Sequence, residues 1–104
     1  MGAGKITPAR ATYVDTNSIK GRGHLRDVWE KTVVAVTDPK QVSVEITRWR
    51  YDCTQGRAAL LYSESRLKTG ALVDSAGIPE AQRIWDDIRP RSVTAVVMTI
   101  ACAR

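Results

Sequence analysis

Residues 41–53 read QVSVEITRWRYDC, and this stretch decides the fold because its apolar residues change parity halfway along. The first apolar group has even numbers and the second has odd numbers: Val42, Val44 and Ile46, then Trp49, Tyr51 and Cys53. Side chains of a strand alternate between the two faces of a sheet, so a regular strand would send the two groups to opposite sides. Either a β-bulge near residues 47–48 restores a common face, or the sheet is covered on different sides at its two ends. We favour the bulge, which turns the second group toward the core and leaves Arg48 and Arg50 facing solvent.

The segments around this strand predict an antiparallel sheet of about five to six strands. Residues 25–36 are rich in Val, Thr and Trp and end before Asp38-Pro39, because proline cannot donate to the ladder. Residues 57–67 follow a short glycine-containing connection, so they form a hairpin with the strand at 41–53. Two shorter strands are predicted at 11–14 and 71–74, and turns at 15–18 and 21–23.

The C-terminal third predicts a loop followed by one helix. Residues 75–90 contain a glycine and two prolines and indicate a loop with one helical turn between 80 and 88, where Trp85 and Ile88 form a lid on the core. Residues 92–103 have a strand-forming composition, yet their apolar side chains recur at helical spacing: Val93, Val96, Val97, Ile100 and Ala101. Ser92 is a good N-cap just after a proline, so we predict an α-helix packed on one face of the sheet. The predicted fold class is α+β.

The composition limits the protein to one small domain without a membrane span or a zinc site. The chain has 104 residues, with 16 Lys and Arg against 11 Asp and Glu, a formal charge of +5, one His and two Cys. No apolar stretch approaches the ~20 residues that a membrane span requires. One histidine and two cysteines, 49 positions apart, are too few for a four-coordinate zinc site without carboxylates. We assign residues 1–9 to a flexible leader and residues 10–104 to one domain.

No arrangement of residues indicates catalysis. Residues 2–5 resemble the end of a phosphate-binding loop, but Ile6 follows the lysine where Ser or Thr is needed. His24 is the sole histidine, and its neighbours place it at an exposed strand entrance rather than beside a cysteine nucleophile. The carboxylates, including the adjacent Asp86 and Asp87, form no pair that must face a cleft. We therefore predict a non-enzymatic domain with no catalytic residue, metal or cofactor.

The two cysteines allow two interpretations: a pair of buried thiols in a reducing compartment, or one disulfide in an exported protein. We favour the disulfide, because joining Cys102 to Cys53 would hold a C-terminal element that would otherwise fray. In the chain-entropy model such a link is worth about 4 kcal/mol. Residues 1–4 have neither the charged nor the apolar region of a signal peptide, so we expect this chain to represent the mature domain of an exported protein.

The basic residues point to binding. Arg48-Trp49-Arg50-Tyr51 interleaves guanidinium and aromatic groups, and with Arg57 it predicts a basic face that attracts acidic proteins, sulfated glycans or anionic headgroups. Further cations that fit the same pattern are Lys20, Arg22, Arg26 and Arg66. Nucleic acid is not an expected partner, because most of the three tryptophans and three tyrosines are needed in the core and leave few rings for base stacking. The simpler interpretation is that the aromatics are core residues and the arginines only keep the domain soluble.

A series of short motifs runs along the chain: Tyr13-Val14-Asp15, Ser18-Ile19-Lys20, Gly23, Val28-Trp29, Asp52-Cys53, Tyr62, Trp85, Pro90, Ser92 and Cys102. Their order and the positions of the two cysteines resemble the bacterial surface-adhesin protein E family. The resemblance covers nearly the whole chain, from Thr12 to Cys102. Arg91 is a departure from the family pattern, since a glycine is common directly before the serine.

The resemblance implies an antiparallel sheet whose C-terminal helix is joined to it by a Cys53–Cys102 disulfide. It also implies an exported protein of a Gram-negative bacterium, in the periplasm or at the outer membrane, with a lipid anchor outside this sequence. A member of the family attaches to host matrix proteins through a basic segment around the first cysteine, which corresponds here to residues 39–57. The candidate ligand-binding residues are therefore Lys40, Arg48, Arg50 and Arg57, and the expected partner is a host extracellular-matrix protein or an acidic glycan.

A second function fits the same sequence. Relatives of this kind include uncharacterised periplasmic proteins, so a structural or assembly role without adhesion is the alternative. In that role an edge of the sheet would pair with another copy of the chain or with an envelope partner.

Overall fold

The body of the protein is one seven-stranded antiparallel sheet in a computed structural model that describes residues 9–103. The strands are β1 (Arg10–Val14), β2 (Lys20–Arg22), β3 (Leu25–Val34), β4 (Val42–Asp52), β5 (Arg57–Leu67), β6 (Leu72–Gly77) and β7 (Asp86–Asp87). Their order is β1-β3-β4-β5-β6, with β2 paired to β3 and β7 paired to β5. The predicted α+β class and antiparallel sheet are confirmed, and the short strands β2 and β7 account for the higher strand count. Of the predicted leader, only Ala9 lies within the described residues.

The C-terminal helix α1 spans Val93–Cys102, as the sequence predicted. The Ser92 hydroxyl oxygen accepts a hydrogen bond from the Ala95 amide at 3.1 Å, which satisfies one N–H group of the first turn. Arg91 has a φ of +64°, in the left-handed region that glycine adopts most easily. The helix packs across β3 and β4 on one side of the sheet. We call that side the covered face and the other side the open face.

The hydrophobic core lies between α1 and the covered face. Its buried members are Val28, Tyr51, Ala58, Val97 and Ala101, with Val14, Ile19, Trp49, Ile88 and Met98 packed around them. The predicted apolar stripe of α1 does not face this core along its whole length. Two of its residues, Val93 and Val96, are 60% and 59% exposed. The helix meets the core through its second half, whereas its first turn stands over a polar part of the covered face.

One disulfide joins the helix to the sheet. Cys53 directly follows β4 and Cys102 is the last residue of α1, and their Cα atoms are 5.8 Å apart. The predicted pairing is confirmed, and the interpretation as two buried thiols is wrong. The Cys53 amide donates to the His24 carbonyl at 2.8 Å, so the sheet side of the link is itself held by a backbone hydrogen bond.

The bulge predicted near residues 47–48 of β4 is wrong, because the strand alternates regularly from Val44 to Asp52. The extra residue that β4 itself has against β5 is Ser43, near the start of the strand. β3 and β4 pair without interruption from residue 44 to residue 52 of β4. The ladder between β4 and β5 does shift beside Arg48, but the extra residue there is Leu61 of β5. The bulge therefore lies next to the predicted position on the neighbouring strand, where it does not change the faces of β4.

Regular alternation places the two apolar groups of β4 on opposite faces of the sheet. Trp49 and Tyr51 lie on the covered face with the core, as predicted. The open face holds the even-numbered side chains of the strand: Val44, Ile46, Arg48 and Arg50. The open face thus combines apolar and cationic groups.

The segment 75–90 is more regular than predicted. β6 extends beyond its predicted end, a 3-10 turn at Glu80–Gln82 forms the predicted helical turn, and β7 follows it. Ile88 packs against the core, as expected of a lid residue. Trp85 does not belong to the core cluster and stacks instead beside Arg57, with its ring centre 5.6 Å from the guanidinium carbon.

Candidate functional site

The open face presents cationic and aromatic side chains in cross-strand rows. One row consists of Trp29 of β3, Arg48 of β4 and Tyr62 of β5, which the register places opposite one another. In the next row Asp27 lies opposite Arg50. Directly opposed residues have Cβ atoms about 4.5–5.5 Å apart, so each row forms a continuous contact surface.

Asp27 holds two of the candidate arginines in place. Arg50 Nε and Nη2 donate to the two carboxylate oxygens of Asp27 at 2.8 and 3.0 Å, and Arg48 Nη2 donates to the same carboxylate at 3.3 Å. The hydrogen bond to Asp27 raises the pKa of Arg50 above its usual value. One carboxylate cannot neutralise two guanidinium groups, and the Arg48 and Arg50 side chains are still 37% and 28% exposed. The pair is a fixed, solvent-accessible cationic site.

Aromatic rings flank Arg48. Its guanidinium lies 5.8 Å from the Trp29 ring centre, within the range of a cation–π interaction. Trp29 and Tyr62 meet edge to face, with ring centres 5.6 Å apart. The Tyr62 hydroxyl donates to Glu64 at 2.8 Å, and Glu64 also accepts a hydrogen bond from Arg66. Arg66 is therefore paired with its own carboxylate, whereas Arg48 shares Asp27 with a second arginine.

Arg57 occupies the end of the open face where β4, β5 and β7 meet. Its Nη2 lies 3.9 Å from the buried carboxylate of Asp52, and its guanidinium stands over the Trp85 ring. Backbone hydrogen bonds, first that of the Gln55 amide, hold the pKa of Asp52 below its usual value, and the nearby cations act in the same direction. Asp52 thus fixes both the β4–β5 turn and the position of Arg57.

β2 adds two cations that the sequence placed only in a general basic pattern. The register sets Lys20 opposite Asp27 and Arg22 opposite Leu25, so both side chains lie on the open face. Together with Arg50 they border a groove of about 310 Å³. Lys20 and Arg22 lie two positions apart, which is typical of side chains on one face of a strand, but Gly21 and Gly23 favour a turn.

The structure brings three of the four candidate residues to one face and leaves Lys40 apart. Lys40 lies in the connection between β3 and β4, where its amide donates to the Asp38 side chain at 2.9 Å. Arg48 lies six residues into β4, which puts it about 20 Å from that end of the strand. Among the further cations, Arg26 alternates to the covered face of β3, opposite Tyr51.

Metal chemistry finds no support in the described part of the chain. Between residues 9 and 103, no group of three or more His, Cys, Asp or Glu side chains is arranged to hold a metal ion. Over the same span, no helix has both the length and the apolar character needed to cross a membrane.

A protein-family model covers nearly the whole of this chain. The model is described as surface-adhesin protein E, and it matches residues 3–103. No curated protein matches the chain, and no solved structure matches it. The match supports the interpretation of the motif order and the cysteine positions, and it includes every residue of the open face named above.

Proposed function

Because the chain belongs to the surface-adhesin protein E family, we propose that it is an adhesin that binds acidic groups of a host matrix ligand through its open face. Membership of the family implies an exported, surface-associated protein with a non-enzymatic role. The finer parts of the proposal, the acidic ligand and the face that binds it, rest on the side chains of the sheet.

The excess of cations on the open face carries the proposal. By the strand register, the cations on the open face are Lys20, Arg22, Lys31, Arg48, Arg50, Arg57 and Arg66, and the carboxylates are Asp27, Asp52, Glu64 and Asp87. A face with excess positive charge attracts acidic partners over a distance and speeds their association. Guanidinium groups suit sulfate and carboxylate in particular, because their planar fork donates two parallel hydrogen bonds.

The arginines are ordered before a ligand arrives. Asp27 holds Arg48 and Arg50, and the rings of Trp29 and Trp85 lie beside Arg48 and Arg57. Immobilising a flexible side chain on binding costs about 0.5–1.5 kcal/mol, and an ordered side chain avoids part of that cost. This preorganisation supports a binding role over the interpretation that the arginines only maintain solubility.

The spacing of the arginines suits an extended ligand. Arg48 and Arg50 lie two residues apart on β4, which separates them by about 7 Å along the strand. Arg57 lies on the neighbouring strand opposite Asp52, two further residues along the same face. A linear polyanion with regularly spaced acidic groups can therefore contact all three side chains.

The test compares two triple variants with the same change in charge. Arg48→Gln/Arg50→Gln/Arg57→Gln removes the candidate cations. Arg10→Gln/Lys40→Gln/Arg91→Gln removes three exposed cations from the covered face, the loop before β4 and the residue before the N-cap of α1. Binding to immobilised heparin is measured by surface plasmon resonance at several salt concentrations, with near-ultraviolet circular dichroism to confirm folding.

We expect the open-face variant to bind at least about tenfold more weakly and the slope of log K against log salt to flatten by about three. We expect the control variant to lose less than about threefold, because its charges lie outside the open face. Equal losses in the two variants would show that net charge alone controls binding and would contradict the proposal.

An observation at the edge of the sheet supports assembly as a second function. β6 ends the strand order, and all its residues are exposed, including Leu72 at 53% and Val73 at 52%. An exposed edge strand with apolar side chains can pair with a strand of another molecule. Assembly predicts a concentration-dependent dimer in sedimentation velocity that Val73→Lys abolishes, whereas a monomer at every concentration counts against it.

Retention at the outer membrane by a lipid anchor is also part of the proposal. Fractionation of cells that make the native protein, with mass spectrometry of its N-terminus, tests this point. We expect an acylated N-terminus in the outer-membrane fraction and oxidised Cys53 and Cys102. A cytosolic protein with reduced cysteines would contradict it.

A further inference from the structure

A polar cleft lies on the covered face beside the first turn of α1. β1, β3 and β4 form its floor, the start of the helix forms a wall, and its volume is about 460 Å³. Small-molecule sites occupy about 300–1,000 Å³. The cleft is separate from the open face, because the side chains of its floor alternate to the opposite side of the sheet.

The register arranges the polar side chains of the floor in two rows. Thr12, Thr32 and Glu45 lie side by side on β1, β3 and β4, and Glu30 and Thr47 form the next row. Side chains lie about 5 Å apart within a row and the rows about 7 Å apart along the strands. The Thr12 and Thr32 hydroxyl oxygens are 3.2 Å apart and share a hydrogen bond. Hydroxyl and carboxyl groups therefore converge on one concave surface.

The side chain of Glu30 lies at the floor of the cleft and is held there by a hydrogen bond from a buried tyrosine. Its residue exposure is 8%, and the hydroxyl of the fully buried Tyr51 donates to Oε2 at 2.6 Å. The other carboxyl oxygen of Glu30 has no hydrogen-bond partner among residues 9–103. Burial raises the pKa of this carboxyl, and the hydrogen bond from Tyr51 acts against the shift.

Trp49 supplies an apolar wall beside the two rows. Its indole Nε1 donates to the Thr47 hydroxyl at 3.2 Å, which fixes the orientation of the ring. The side chain lines this cleft and also a neighbouring cleft of about 260 Å³. The indole is therefore accessible to a ligand although it also packs against the core.

We propose that this cleft binds a neutral, hydroxyl-rich small molecule of one or two sugar rings. Sugar hydroxyls both donate and accept hydrogen bonds, which matches a lining of threonine hydroxyls, two carboxyl groups and the guanidinium of Arg10. The mixed signs of Glu30, Glu45 and Arg10 create no single-sign field that would select an anion or a simple cation. The Trp49 ring offers an apolar surface for the C–H face of a sugar. This site goes beyond the proposed adhesive function, because it uses the other face of the sheet.

The experiment titrates small probes into the full chain labelled with ¹⁵N and follows the amide shifts. The probes are D-galactose, N-acetyl-D-glucosamine and lactose, with n-propylamine as a cationic comparison. We expect at least one sugar to give saturable shifts at Thr32, Glu45 and Thr47, with a dissociation constant of about 0.1–10 mM, a range usual for weak small-molecule binding.

Two double variants locate the binding site. Thr32→Val/Glu45→Gln removes one hydroxyl and one carboxylate from the cleft, and we expect the sugar to bind at least about tenfold more weakly, since unpaired polar groups are costly. Thr99→Val/Glu64→Gln removes the same groups from the exposed side of α1 and from the open face, and it should bind within about twofold of the wild type.

Three results would each overturn the proposal: none of the sugars gives saturable shifts at the cleft, the cleft variant binds as tightly as its control, or n-propylamine occupies the cleft and the sugars do not. If near-ultraviolet circular dichroism shows that the cleft variant is not folded, the shift map of the wild-type protein decides between support and rejection.

Discussion

The two faces of the sheet carry charge in different ways. On the covered face, the buried carboxyl of Glu30 accepts a hydrogen bond from the neutral hydroxyl of Tyr51. On the open face, Asp27 shares its carboxylate between Arg48 and Arg50. Burial without a cation favours the neutral form of a carboxyl, whereas ion pairs at a half-exposed surface keep charges ordered in contact with water. The covered face thus buries the carboxyl of Glu30 beside the core, whereas the open face displays its charges to water.

One strand serves both faces. β4 directs Trp49 and Tyr51 to the core and Arg48 and Arg50 to the open face, and its uninterrupted pairing with β3 keeps the two sets apart. A slip of one residue would exchange every side chain between the faces. The register of β3 and β4 therefore determines both the core and the candidate binding surface.

The largest expected effect comes from removing the link that holds the helix on the covered face. Cys53→Ala/Cys102→Ala should lower the free energy of unfolding by about 4 kcal/mol, because a cross-link of this span restricts the unfolded chain. Urea unfolding measures the change. Wild-type protein in excess reductant should lose a similar amount, and a loss below about 1 kcal/mol in both would show that packing alone holds the helix.

A matched pair of tyrosine variants compares the two faces directly. Tyr51→Phe leaves the buried Glu30 carboxyl without its hydrogen bond and should cost about 1–3 kcal/mol of unfolding free energy. Tyr62→Phe removes a hydroxyl that donates to Glu64 near solvent, and its cost should stay within about 0.5 kcal/mol. Urea unfolding of both variants gives the difference, and equal costs would mean that the faces do not differ as described.

The pH dependence of stability should also separate the two faces. The pKa of the Glu30 carboxyl is raised in the folded protein. The stability that this group contributes is therefore present in full below its unfolded pKa of 4.5, and it is lost as the pH rises through the folded pKa. From about pH 4 to about pH 8, the wild type should therefore lose stability relative to Glu30→Gln. The pKa of the Asp52 carboxyl is lowered in the folded protein. The stability that this group contributes is therefore present above its unfolded pKa of 3.8, and it is lost as the pH falls through the folded pKa.

Urea unfolding at several pH values measures both trends, with Asp52→Asn as the variant of opposite sign. The wild type should gain stability relative to Asp52→Asn as the pH rises above the acid range. If the unfolding free energies of the wild type and Glu30→Gln changed with pH in parallel, the buried carboxyl would not affect the pH dependence of stability, and the expectation would be contradicted.

The smallest expected effect concerns the balance of charge on the open face. Asp27→Asn leaves Arg48 and Arg50 without their shared carboxylate. We expect the gain in net positive charge to outweigh the lost ordering of the two side chains, so heparin should bind about two- to fivefold more tightly and the salt slope should steepen by up to about one. Glu45→Gln makes the same change in charge on the covered face and serves as the control. Surface plasmon resonance at several salt concentrations measures both variants, and an equal gain in both would show that position does not matter.

Local rules predicted the elements that depend on a single segment. Ser92 caps α1 as expected, the bounds of β5 agree with the sequence, and the Cys53–Cys102 link was assigned through the resemblance. In each case one segment, or one pair of cysteines, permits few alternatives.

Features set by a partner strand were harder to predict. The extra residue beside Arg48 belongs to β5, because a bulge depends on two strands and the pattern of β4 alone does not show which strand holds it. Lys20 and Arg22 join the open face only because β2 pairs with β3, although their flanking glycines favour a turn. Lys40 shares the basic segment with Arg48 in sequence but lies at the far end of the strand. The three arginines of the predicted patch share one face of the sheet with Lys20 and Arg22, and their role in binding stays a prediction.

The most direct test of the open face as the binding surface is an amide and arginine-Nε shift map of the ¹⁵N-labelled chain with a heparin-derived hexasaccharide. We expect the largest shifts on β2 and on Arg48, Arg50 and Arg57, with small changes along α1. Shifts concentrated at Lys40, or along the helix, would contradict this expectation.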